Sequence, residues 1–307
     1  MNPVAQICRR TEKLERSAAE LEASGEYRVL RRLRMRMPTR LPGDMPTRRA
    51  VVVDVETTGL DSTADEILEL AMLAFDYSID GAFVSVADSF DQLRDPGRLV
   101  PPDVTALTGI TDDMVAGKSV DPVEVGAFVG RADLVMAHNA AFDRRFCERL
   151  FPIFAEKPWA CSLHEVAWKD EGLEGTRLSQ LANAYGFFFD GHRALHDCEA
   201  ALELLARPLP RSGRTALSTL LESARRPRWR IRAEGAPFAK RDVLKRRGYR
   251  WEAGDRARPG AWWTEVSEEA FEDEREFLRA EVYRRTDASI DARLLTAFER
   301  YSERSDR

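Results

Sequence analysis

Apolar and polar positions along the chain fall into three regimes. Residues 10–24 place Leu14, Ala18 and Leu21 on one face of a charged helix, which Gly25 stops. An Arg-rich stretch follows. It contains the tetrapeptide MPTR twice, at Met37–Arg40 and Met45–Arg48, among prolines and a glycine, the composition of a linker. From Arg49 the pattern changes. AVVVDVE is a short β-branched run of the kind buried on both faces of a sheet, and it ends in the turn TTGLDS. EILELAMLAFDYSID and GAFVSVADSFDQL read as two strands joined at the hairpin dipeptide Asp80-Gly81. Pro101-Pro102 precedes helical material that includes PVEVGAFVGRA, LVMAHN is a further strand running into the helical AAFDRRFCERLF, and LSQLANAYG and HRALHDCEAALELLAR close the segment. Strands followed by alternating helices and strands predict an α/β fold with a mixed sheet.

Beyond PLPRSGR the patterning differs again. TALSTLLESAR reads as a helix, WRIRA as a strand, AKRDVLKRRG as a helix, YRWEA and AWWTEV as strands, and EEAFEDEREFLRAEVYRR as an acidic helix. That is a small α+β module. The expected organisation is therefore a basic helical arm and linker over residues 1–48, an α/β domain over 49–209 and the module over 210–307.

Composition narrows the class. The chain has 307 residues, 44% hydrophobic and 32% charged, and a mean hydropathy of −0.41. No apolar run approaches the ~20 residues of a membrane span. The N-terminus lacks the apolar core of a secretory signal, and the 4 cysteines show neither CxxC spacing nor the density of a disulfide framework. A soluble protein of a reducing cytoplasm is expected. The net charge of −5 hides segregation: residues 1–50 hold 12 basic and 6 acidic residues, 51–210 hold 12 and 28, and 211–307 hold 23 and 18. An acidic middle flanked by basic arms remains compatible with a polyanionic partner.

Asp54 and Glu56 are two residues apart on a strand, so both side chains leave the same face. Paired carboxylates repel unless a cation lies between them, and hard divalent ions prefer oxygen donors. Further donors must come from elsewhere in the fold. Asp143, after the strand end HNAAF, and Asp197 are the candidates; His192 precedes Asp197 by slightly more than one helical turn.

VVVDVETTGL, AHNAAFDRRF and GHRALHDCEA resemble the three motifs of the DEDDh, or DnaQ-like, 3′→5′ exonucleases, and they occur here in the order of that family. The resemblance spans about residues 49–207. It implies an RNase H-like fold with a five-stranded mixed sheet flanked by helices, carboxylates at Asp54, Glu56, Asp143 and Asp197 holding two Mg²⁺ or Mn²⁺ ions, and His192 as general base. Two ions about 3.5 to 4 Å apart activate a water and neutralise charge on the phosphate. An imidazole suits the base role near neutral pH. The resemblance also implies that Thr57, Thr58, Leu60, Thr108, Asn139 and Phe142 line the pocket for the 3′-terminal nucleotide, so that hydrolysis depends on a chain end. His196 stands where the family commonly has a small residue and is read as structural.

The implied function is release of nucleoside monophosphates from single-stranded or frayed DNA 3′ ends, with a DNA polymerase or a repair protein as partner and no membrane. The alternatives are an exoribonuclease like oligoribonuclease or RNase T, and a non-catalytic polymerase- or nucleic-acid-binding subunit. The module's residues 225–258 interleave 13 basic side chains with Trp229, Phe238, Tyr249 and Trp251. Two readings compete for them: a nucleic-acid platform, and the core of a small domain.

Overall fold

Val51, Val52 and Val53 follow one another with no polar residue between them to give them an outward face, and all three are buried in the central sheet. The computed structural model describes residues 3–39, 45–254 and 258–305, with side chains from residue 12. Residues 40–44 of the expected linker and the side chain of Cys8 lie outside the described residues. In chain order the elements are α1 (Pro3–Ala23), β1 (Arg31–Arg32), β2 (Thr47–Thr57), β3 (Ile67–Ser78), β4 (Phe83–Leu93), α2 (Pro102–Thr108), α3 (Asp112–Val115), α4 (Pro122–Gly130), β5 (Leu134–Ala137), α5 (Ala140–Leu150), α6 (Ile153–Glu156), β6 (Trp159–Cys161), α7 (Ser162–Glu165), α8 (Leu178–Ala184), β7 (Phe187–Phe188) and α9 (Ala194–Ala206). They continue with α10 (Ala216–Arg225), β8 (Arg228–Ala233), α11 (Arg241–Arg246), β9 (Arg250–Glu252), β10 (Ala261–Ser267), α12 (Phe271–Phe277) and β11 (Asp291–Leu295).

The five-stranded sheet has the order β4-β3-β2-β5-β6. It is mixed, because β2–β3 and β3–β4 pair antiparallel while β5–β6 pair parallel. The α/β class, the five-stranded mixed sheet, the helical arm and the C-terminal α+β module all match the sequence reading. Each of the two compact units is built from two stretches of chain: residues 1–121 with 167–217, and residues 122–166 with 218–307.

In the first unit, β2 outruns AVVVDVE because Thr47–Arg49 continue the ladder opposite Ser78–Asp76, and Arg49 donates to both oxygens of Asp76 at 2.8 and 3.0 Å. β3 is buried almost throughout, and α9 packs on β2 and β3. Cys198 fits the helix to the sheet, with Sγ 3.6 Å from the carbonyl oxygens of Val52 and Ala71. The arm helix stops at Gly25 as expected, with φ 77°. The arginines that follow it pair with carboxylates of the same unit: Arg31 with Glu15 and Glu22, Arg32 with Asp190, and Arg36 with Glu203.

In the second unit, the module is a four-stranded antiparallel sheet of order β11-β8-β10-β9. Its core holds Ile231, Ala233, Leu244, Tyr249, Leu278 and Val282, with Trp229 and Trp262 packed against it. The acidic helix runs as α12 and then widens into a π-helical turn over Leu278–Tyr283. Residues 296–304 fasten onto the other stretch of this unit. Trp159 N donates to Ala297 O at 2.7 Å, and the fully buried Arg144 guanidinium donates to the carbonyls of Ala297, Phe298 and Arg300.

Candidate active site

Near the end of β2 the sheet's alternation sends Asp54 and Glu56 out on one face while Val53 and Val55 stay buried. The ladder to β3 shifts register between Glu56 and Thr57, a bulge of the sort that re-aims side chains beside functional sites. Asp197, in the first turns of α9, joins this pair. Donor oxygens of Asp54, Glu56 and Asp197 all lie within 4.8 Å of one another, and all three residues are half-buried. Three hard oxygen donors without thiol or imidazole suit Mg²⁺ or Mn²⁺. Burial pushes the Asp197 carboxyl up to about 6, against the opposing pull of His192 and of the backbone N–H groups of Arg193 and His192.

The start of α9 is held by a residue that the sequence reading passed over. Glu69, 1% exposed on β3, accepts Arg193 Nε at 3.0 Å and Nη2 at 2.6 Å, and its Oε2 accepts the Ala194 N–H at 2.9 Å. A backbone donor that opens the helix is thereby satisfied by a carboxylate, which also suits the helix dipole. His192, just before, is solvent-exposed and sits in the left-handed region at φ 64°. A non-glycine residue there is strained and persists only where its surroundings fix it. His196 Nδ1 lies 3.0 Å from Asp190 O.

The turn after β2 is locked by short-range bonds. Thr57 Oγ1 donates to Gly59 O at 2.6 Å, and Thr58 Oγ1 bonds Asp65 and accepts the Glu66 N–H at 3.0 Å. Arg98 closes the cluster on Asp65 at 2.7 Å and on Thr58 Oγ1. Leu60 projects from the turn, 86% exposed. Thr108, the last residue of α2, is buried; its hydroxyl donates to Val104 O and accepts the Ile110 N–H.

The remaining expected residues belong to the second unit. Asn139 caps α5 in the left-handed region at φ 112°. Phe142 is half-buried, its ring 5.0 Å from that of Phe146. Asp143 is buried in the first turn of α5 and is not one of the three clustered carboxylates. His138 Nδ1 lies 2.8 Å from Ser162 Oγ.

The exonuclease family model matches residues 51–205. The chain is 36% identical over 165 residues to the PolC-type DNA polymerase III of Halalkalibacterium halodurans, covering 51% of this chain and 11% of that protein. It is 30% identical over 167 residues to the DNA polymerase III subunit epsilon of Aquifex aeolicus, covering 52% of this chain and 79% of that one. The match thus spans about a tenth of the PolC-type relatives. Among solved structures, the zinc-bound complex of E. coli ExoI with single-stranded DNA shares the fold at 14% identity and TM-score 0.50, over 76% of this chain and 71% of that one. No helix among the described residues is long and apolar enough to cross a membrane. With half its length matched and its three motifs in the DnaQ-like order, the chain belongs to the exonuclease family.

Proposed function

We propose that the chain is a divalent-metal-dependent 3′→5′ exonuclease that removes nucleoside monophosphates from the 3′ ends of single-stranded or frayed DNA. The observation that carries this reading is the trio Asp54, Glu56 and Asp197, with donor oxygens within 4.8 Å of one another. Asp143 joins them as the fourth carboxylate on the strength of its motif. In this reading residues 49–209 are the nuclease domain, 1–48 an arm and linker, and 210–307 an accessory module.

The four carboxylates would hold two Mg²⁺ or Mn²⁺ ions, which supply Lewis acidity at the phosphate and a water of lowered pKa. His192 accepts the proton of the attacking water, which its exposed position permits. Thr57, Thr58, Leu60, Thr108, Asn139 and Phe142 receive the terminal nucleotide, and the locked turn at Thr57–Thr58 keeps its share of that pocket in one shape. The DNA polymerase III names of the relatives support DNA as substrate and a polymerase or repair protein as partner. Three buried free cysteines fit a reducing cytoplasm.

The test is hydrolysis of 3′-labelled DNA and RNA oligonucleotides of matched sequence in Mg²⁺ and in Mn²⁺. Asp54→Ala is expected to abolish the release of mononucleotides, with the far-UV spectrum unchanged. Wild-type activity in that variant would refute the reading, and faster digestion of RNA would reassign the substrate.

A further inference from the structure

On the module, one row of side chains combines aromatic faces with cations. Phe238 is 79% exposed, and the Arg241 guanidinium lies 4.8 Å from its ring centre. Arg241 and Lys245 are four residues apart on α11 and so share a face. Lys245 Nζ is 5.8 Å from the ring centre of Trp262. Trp262 is the cross-strand partner of Trp251, with ring centroids 5.5 Å apart at 64°. Trp251 ends the row, still 57% exposed, although its ring is backed by Gly260, where a Cβ would come within 2.9 Å of Cζ2.

Three of the module's other arginines are spent on carboxylates: Arg230 on Glu265, Arg232 on Glu252 and Arg247 on Glu274. The row is different. Arg241 bonds only its exposed neighbour Asp242 at 3.2 Å, and Lys245 has no carboxylate partner among the described residues. Large exposed aromatics are not needed for the module's core, which Ile231, Leu244, Tyr249, Leu278 and Val282 already fill. Exposed rings spaced by solvent-exposed cations complement a chain of bases joined by phosphates.

We propose that this row is a binding track for single-stranded nucleic acid, in which bases stack on Phe238 and Trp251 while Arg241 and Lys245 hold the intervening phosphates. It rests on the exonuclease reading only in identifying the bound strand with the strand being degraded.

The experiment uses the full chain in EDTA, so that binding is read without hydrolysis. Fluorescence anisotropy is followed with 20-nucleotide oligo-dT, 20-nucleotide oligo-rU and a 20-base-pair duplex across a salt series. Trp251→Ala and Phe238→Ala are each expected to weaken binding of the single strands about 5- to 150-fold, the range for loss of one stacked base, and Trp251→Phe to retain most of it. Lys245→Gln is expected to reduce the slope of log affinity against log salt by about 0.7. The two single strands tell whether the track accepts DNA, RNA or both. Wild-type affinity in Trp251→Ala and Phe238→Ala, or a duplex bound as tightly as the single strands by every variant, would overturn the proposal. Hydrolysis in Mg²⁺ is scored separately, so a protein that binds through this row without cutting would refute the exonuclease reading and leave the track standing.

Discussion

Glu56 and Glu69 face each other on one rung of the β2–β3 ladder, yet they stand in different surroundings. Glu69 is closed off by Arg193 and by the Ala194 N–H, whereas Glu56 joins Asp54 and Asp197. Arg193 also feels Asp91 and Glu56, and burial beside Glu69 raises the Asp91 carboxyl. One carboxylate of the rung therefore holds the start of α9, and the other belongs to the acidic trio. Glu69→Gln is expected to keep the fold but to lower kcat on short 3′-labelled DNA by about ten- to a hundredfold with little change in KM, because misplacing His192 and Asp197 by an ångström costs rate. Thermal unfolding measured beside the kinetics separates this from collapse. A wild-type kcat would show that the start of α9 does not depend on Glu69.

Gly59 is required by proximity. A Cβ there would sit 2.4 Å from Asp65 Oδ2, and Asp65 cannot swing aside freely because the Asp61 N–H, Thr58 and Arg98 hold it. Gly59→Ala is expected to destabilise by about 1–3 kcal/mol, the usual range for overpacking, and to raise KM for 3′ ends more than it lowers kcat. Asp65→Ala removes the obstructing carboxylate, so the double variant should lose clearly less than the sum of the two single losses. Additive losses in denaturant unfolding would mean that the clash is not the cause.

These two relationships also mark the limit of what the amino-acid sequence discloses. Asp54 and Glu56 are legible because strand period puts them on one face, and α9 because its apolar spacing is unbroken. β6 is not, since three residues after Pro158 are too few to display a period. Glu69 sits inside an apolar run, and its role depends on strand register and on a helix that returns 125 residues later. Arg144 and Arg300 escape for a related reason. A charged residue reads as part of a solvated face until its partners converge, and both arginines are buried. The row from Phe238 to Trp251 is half legible, because the mixture of rings and cations is visible in composition while the pairing of Trp251 with Trp262 requires the ladder.

The raised Asp197 carboxyl predicts an unusual acid response of the metal-free protein. Its pKa moves from the ordinary 3.8 to about 6 on folding, mainly through burial. The folded state then keeps a proton that the unfolded chain releases between those values. The stability from this group is fully present below 3.8 and lost as pH rises through about 6. In EDTA, the wild-type unfolding temperature should fall from pH 4.5 to 7 relative to Asp197→Asn, and Mn²⁺ should restore it at pH 7 by binding the ionised trio. Parallel pH profiles for the two proteins would show that Asp197 ionises normally.

The last twelve residues contain a buried charge whose removal should be felt throughout the second unit. Arg300 Nη1 meets Glu165 Oε2 at 2.9 Å with both side chains 1% exposed, and Tyr301 donates its hydroxyl to Glu165 Oε1 at 2.7 Å. Arg300 Nη2 donates to Ala224 O at 2.6 Å, and Ser302 and Arg304 engage Glu148 at 2.6 and 3.1 Å. Arg300→Met leaves the Glu165 carboxylate buried without its cation, which costs about 3–5 kcal/mol. Glu165→Gln paired with Arg300→Met removes both charges and should recover much of that loss, because two neutral groups of similar volume bury more easily than one orphan charge. Arg144 gives the same argument a second handle, since its guanidinium is satisfied by carbonyls of Ala297, Phe298 and Arg300. A chain ending at Leu295 should therefore unfold at lower temperature than Arg300→Met alone. Equal unfolding temperatures for wild type and the truncated chain would show that residues 296–304 rest on the unit without holding it together.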